Sequence, residues 1–90
     1  MSSKHVAGVN FTGSTKTGSH VANIAGKYIK KSVLELGGND PFIVLKDANI
    51  DEAVKGAIKG RCANAGQVCF SPKRFIVVTE VYQQFKTKLV

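Results

Sequence analysis

An α/β fold with short strands alternating with helices is the class this sequence predicts. Short apolar, β-branched runs alternate along the chain with segments whose apolar residues recur every three or four positions. Gly, Asn and Ser cluster at the junctions, with no linker, repeat or low-complexity stretch between them. The composition suits a globular protein: of 90 residues, 43% are hydrophobic and 21% charged. Alternating elements of this length imply helices laid over a mostly parallel sheet. By length alone they fit one small domain with a thin core.

Each element has a local reason. Val6 to Phe11 is apolar and β-branched and runs into Thr12-Gly13-Ser14-Thr15, which ends a strand. Val21, Ile24, Ala25, Tyr28 and Ile29 then share one helical face, with Ser14 or Thr15 as the N-cap. Val33 to Leu36 is a second strand, halted by Gly37-Gly38, and Pro41 to Leu45 a third. Asn49 followed by Glu52 predicts a reciprocal capping box. Ile50, Val54, Ala57, Ile58 and Cys62 form one stripe on the helix it starts, which stops near Asn64-Ala65-Gly66. Arg74 to Thr79 reads as a fourth strand, and Val81, Phe85 and Leu89 mark a last amphipathic helix.

Several function classes lack support in the composition. The net charge is +7, and Lys4, Lys16, Lys27, Lys30 and Lys31 precede the first carboxylate, Glu35. That half favours anions, but its lysines are dispersed and form no basic run with interleaved aromatics, so no nucleic-acid partner is expected. No apolar run approaches the ~20 residues of a membrane span, and the N-terminus lacks an apolar signal stretch, which makes a cytoplasmic protein the expectation. Cys62 and Cys69 are too few for a disulfide scaffold and match neither a CxxC redox motif nor a zinc site. With His5 and His20 distant in sequence, no metal is expected.

Three segments carry potential chemistry. Gly13-Ser-Thr-Lys-Thr-Gly18 follows a strand and opens a helix, where free N–H groups and the helix dipole attract phosphate. It is a near miss to a P-loop and lacks the middle glycine of GxGxxG, so a plain strand-to-helix turn is the competing reading. Glu35 stands between Leu34 and Leu36 before Gly37-Gly38. Partial desolvation there would suit it to general-base work, and a solvent-facing Glu on an alternating edge strand is the competing reading. Cys69 lies past a helix end in a loop, accessible and able to act as a nucleophile if its thiol is activated. Cys62, on the apolar stripe, is expected in the core.

Phe11-Thr-Gly-Ser-Thr15, Leu34-Glu-Leu-Gly-Gly-Asn39 and Asn64-Ala-Gly-Gln-Val-Cys69, in this order and spacing, resemble the aldehyde dehydrogenase superfamily over essentially the whole chain. Cys69 to Phe75, with Pro72-Lys73, is similar to its succinate-semialdehyde dehydrogenase branch. The resemblance implies NAD(P)-dependent oxidation of a small-molecule aldehyde to a carboxylic acid. Cys69 would be the nucleophile, passing through a thiohemiacetal and a thioester, and Glu35 would activate the hydrolytic water. Gly13 and Ser14 would lie near the pyrophosphate of NAD or NADP, and Leu36 and Gly37 near its nicotinamide. Cys62 departs from the aromatic or aliphatic residue usual at its place, and Phe70 would border the aldehyde pocket.

Family members are several times longer, so the chain resembles an interior slice of a homo-oligomeric parent enzyme. Residues 1–36 would end a Rossmann-like NAD(P)-binding domain and residues 37–90 would begin the catalytic domain. The isolated chain would then lack turnover, with the apolar faces of helices 21–29 and 50–62 only partly covered. The alternative from another class is a non-catalytic fragment or basic interaction module.

Overall fold

The computed structural model describes all residues, 1–90, and they divide into two compact units, Met1–Gly37 and Gly38–Val90. Each is built on a strand–helix–strand unit with parallel strands. Parallel pairing forbids a tight hairpin, so the helix between each strand pair is the crossover that makes the pairing possible.

In the first unit, strand β1 (Gly8–Thr12) pairs with β2 (Lys31–Glu35) through helix α1 (Thr15–Lys27). The register sets Phe11 beside Leu34 and Thr12 beside Glu35. Ser14 is the N-cap of α1: its hydroxyl oxygen accepts from the Thr17 N–H at 3.2 Å. Ala25 is buried, with Val21, Ala22 and Ile24 half-buried beside it. Tyr28 and Ile29, placed on the same face by periodicity, are instead exposed, because the helix has already ended there.

That ending is a Schellman turn. The Lys30 N–H donates to Ala25 O at 2.9 Å and the Ile29 N–H to Gly26 O at 3.0 Å. The turn requires a left-handed residue, and Ile29 fills the place with φ +52°. A β-branched side chain there is strained, and Ile29, 94% exposed, gains no burial in return. Ile29→Gly is therefore expected to stabilise the chain by roughly 1 kcal/mol, read as a higher urea midpoint. An unchanged or lower midpoint would contradict the assignment of strain.

In the second unit, β3 (Pro41–Val44) pairs with β4 (Arg74–Val77) through helix α2 (Ile50–Cys62) and a short 3-10 turn at Ala63–Gly66. Helix α3 (Thr79–Leu89) closes the chain. The four strands thus make two parallel pairs and not one sheet, since each strand pairs with the partner that its own helix returns to it. The core comprises Val44, Ile50, Val54, Ala57 and Phe85, with Phe42, Val77, Val81 and Leu89 packed around it. Phe75 bridges the sheet and α3, its ring centroid 5.6 Å from that of Phe42 and 6.4 Å from that of Phe85. The other face of this sheet is open: Ile43, Leu45 and Ile76 are exposed.

Two local expectations for α2 need correction. Asn49 caps it, its Oδ1 accepting from the N–H groups of Asp51 and Glu52 at 3.1 and 3.2 Å. Glu52, however, does not reach back; its carboxylate pairs with Lys55 at 2.8 Å, so only half of the capping box forms. Cys62 is exposed, not in the core, and so is Ile58. The buried line runs through Ile50, Val54 and Ala57 and does not extend into the last turn of the helix. At the other end, Lys88 of α3 pairs with Asp51 and holds its carboxyl below the usual carboxylate range, chiefly through their hydrogen bond and then through charge. Strand β4 stops at Val77, two residues earlier than predicted, because Val78 becomes the N-cap residue of α3. No helix is long and apolar enough to cross a membrane.

Candidate functional site

The candidate residues of the first unit gather at one end of its strand pair. The Gly13 N–H donates to Glu35 O at 3.0 Å, extending the β1–β2 ladder by one bond and setting the Gly13-Ser14 turn beside the end of β2. These are the carboxyl ends of parallel strands, where open α/β sheets leave a crevice for ligands. Gly13 has no space for a side chain: a Cβ there would lie 2.5 Å from the Phe11 ring. Leu36 turns toward α1 and packs on buried Gly18, where a Cβ would sit 2.5 Å from Leu36 Cδ2. A Cβ at Gly37 would meet nothing within 4 Å.

The first turn of α1 follows directly. Its leading N–H groups have no partner inside the helix, and Ser14 Oγ takes that of Thr17. No acidic residue occupies this turn, so its field favours an anion. Glu35 is exposed at the end of β2, not partly desolvated as its leucine neighbours suggested. Alternation explains this: Leu34 and Leu36 are half-buried, and Glu35 points to the opposite face.

Cys69 belongs to the second unit. Its thiol is free and exposed, in the loop that links the 3-10 turn to β4. That loop leaves α2 through three residues with left-handed backbone, Asn64 (φ +48°), Ala65 (φ +57°) and Gly66 (φ +76°). The close approach of Gly38 fixes it from one side: a Cβ on Gly38 would lie 2.7 Å from Cys69 O. Lys73 Nζ donates to Gly38 O, and Arg74 Nη2 to Asn39 O at 3.2 Å, tying the 38–39 segment to the start of β4. Phe70 is 67% exposed beside the thiol.

Two further residues brace this loop, and the sequence reading did not single them out for that role. Ser71 is fully buried, and its hydroxyl lies 3.0 Å from Gly60 O and 3.2 Å from Arg61 O, carbonyls at the end of α2. Arg61 Nη1 donates to Ser71 Oγ at 3.2 Å and to Gly66 O at 3.4 Å. The only sequence signal for Ser71 is a small hydroxyl residue before a proline, which is common to many turns. No group of three or more His, Cys, Asp and Glu side chains is placed to hold a metal ion.

A parallel-stranded fold with a capped helix start beside Glu35, and a pinned loop presenting a free thiol, agrees with comparison to known proteins. The model of the aldehyde dehydrogenase family matches residues 1–90, and the chain belongs to that family. Among its relatives, the succinate-semialdehyde dehydrogenase [NADP(+)] of Deinococcus radiodurans is 50% identical over 84 residues, covering 93% of this chain and 18% of that protein. Among solved structures, a salicylaldehyde dehydrogenase from Pseudomonas putida G7, complexed with salicylaldehyde, superposes with a TM-score of 0.93 at 43% identity. That match covers 99% of this chain and 18% of the other. An aldehyde dehydrogenase from Bacillus cereus, solved as an NAD+ complex, gives a TM-score of 0.89 at 40% identity over 93% of this chain and 17% of its own. The chain therefore spans under a fifth of the length of the relatives it matches.

Proposed function

We propose that this chain carries the nucleophile and the water-activating carboxylate of an NAD(P)-dependent aldehyde dehydrogenase that acts on succinate semialdehyde or a similar short aldehyde. The observation that carries the reading is the free, exposed Cys69 on a loop held at several points, in a chain matched along its whole length by the family. In this reading residues 1–36 end the cofactor domain and residues 37–90 begin the catalytic domain.

The first unit fits the cofactor. The start of α1 offers N–H donors and no acidic side chain to a pyrophosphate. Gly13 and Ser14 would hold the phosphates, and Leu36 and Gly37 would line the nicotinamide. When bound, the nicotinamide supplies a two-electron acceptor.

The chain's own groups do the remaining work. Cys69 Sγ, as the thiolate, adds to the carbonyl carbon and forms a thiohemiacetal. The Cys69 backbone N–H stabilises the developing oxyanion. After that carbon has lost a hydride, sulfur holds the acyl group as a thioester. Glu35 takes a proton from water, the hydroxide attacks the thioester carbon, and the C–S bond breaks to release the carboxylic acid and the thiolate.

The natural protein carrying these residues is expected to reduce NADP+ or NAD+ when succinate semialdehyde is added, followed by the absorbance of the reduced nicotinamide. No reduction with succinate semialdehyde or other short aldehydes, with either cofactor, would refute the reading. The isolated 90-residue chain should show no useful turnover, because positioning groups from the remaining length of such enzymes are needed.

A further inference from the structure

We infer that Arg61 and Ser71 are positioning residues for Cys69, a guanidinium–hydroxyl staple across the neck of its loop; this rests on the reading of Cys69 as nucleophile. Core packing does not place the thiol. Gln67, Cys69 and Phe70 are exposed and Val68 only half-buried, so the loop contributes little apolar contact of its own. Its position is set by polar links at its two ends. One nitrogen, Arg61 Nη1, reaches Gly66 O at one end and Ser71 Oγ at the other, with Cys69 between them. Ser71, fully buried, docks against the last carbonyls of α2 and so transfers the rigidity of that helix to the loop. A further turn bond, from the Ser71 N–H to Val68 O at 3.0 Å, stiffens the segment that contains the thiol.

The left-handed backbone at Asn64 and Ala65 shows why a staple is needed. Two consecutive non-glycine residues with positive φ carry strain that the surrounding structure must hold in place. Arg61 contacts Gly66 O immediately after them and opposes their relaxation. Without it the loop would swing about Gly38, and the sulfur would leave the line of attack on a carbonyl. A displacement of about 1 Å at a reacting atom costs on the order of a hundredfold in rate.

The test uses the natural protein with Arg61→Ala, Arg61→Lys, Ser71→Ala, the Arg61→Ala/Ser71→Ala pair and, as a separate control, Cys69→Ser. At a temperature where each variant is folded, Arg61→Ala and Ser71→Ala should lower kcat by roughly tenfold to a hundredfold, with the aldehyde KM changed by less than about threefold. Arg61→Lys, which keeps the charge and one donor nitrogen, should recover part of the loss. The pair should be no worse than the poorer single variant by more than about twofold, because both break one link. In parallel, the ratio of Cys69 to Cys62 alkylation by iodoacetamide, read by peptide mass spectrometry, should shift in Arg61→Ala. Wild-type kcat and an unchanged alkylation ratio in both single variants would overturn the staple, while an inactive Cys69→Ser left the nucleophile reading standing. Full activity in Cys69→Ser would overturn both. Loss through KM alone would also overturn it, because that would make Arg61 a binding group.

Discussion

Cys69→Ser is expected to reduce aldehyde-dependent formation of reduced nicotinamide by at least about a thousandfold, close to 4 kcal/mol of transition-state stabilisation. The two side chains differ by one atom, so the fold should not register the change: Cys69 is exposed and no core residue rests on it. The chemistry changes completely. A thiol is partly ionised near neutral pH and intrinsically nucleophilic, whereas a serine hydroxyl needs a base in contact with it. Thioesters also hydrolyse and transfer more readily than oxygen esters, so the second half of the reaction suffers too. Cys62→Ser provides the internal comparison, since Cys62 is also exposed but lies at the end of α2 outside the loop. It should retain nearly full rate. Retention of more than about a tenth of the activity in Cys69→Ser would assign the nucleophile elsewhere.

Phe85→Ala is expected to destabilise the second unit by about 3–5 kcal/mol, the largest loss available from one side chain of this chain. Phe85 is 2% exposed and is the only buried side chain that α3 contributes. It meets Phe75 of β4 and the Val44, Ile50, Val54 and Ala57 cluster, so it joins sheet, α2 and α3 in one contact set. Folded domains keep only about 0.05–0.15 kcal/mol per residue, so such a cavity removes most of the margin of a unit this small. The measurement is the urea midpoint of the natural protein together with amide exchange over Gly38–Val90. A change below about 1 kcal/mol would show that neighbouring side chains collapse into the space.

Much of this architecture was legible because local signals were strong. Asn49 before an acidic first turn predicts the start of α2 to the residue, and of the two candidate caps for α1, Ser14 and Thr15, Ser14 is the one used. The Gly66-Gln67-Val68-Cys69 segment reads as an accessible loop, and the thiol is exposed there. What escaped was set by contacts distant in sequence or by competition. Glu52 had two partners within reach and took Lys55 over the backbone of Asn49. Cys62 matched the helical period, but a period says nothing about where the opposing layer stops. Pairing into two sheets depends on which helix returns which strand, a property of topology that apolar runs do not encode. Ser71 carries no pattern at all: its burial arises from the docking of the loop on the end of α2.

The open face of Ile43, Leu45 and Ile76 lies on a sheet of only two strands, each with one edge unpaired. In the isolated 90-residue chain such strands are templates for cross-β association between copies. The flanking cations Lys46, Lys73 and Arg74 are exposed and act as gatekeepers, and a net charge of +7 adds repulsion between copies. This protection is purely ionic. Its range shrinks from about 8 Å at physiological salt to about 3 Å at 1 M, so association between copies of the isolated chain is expected to rise with salt.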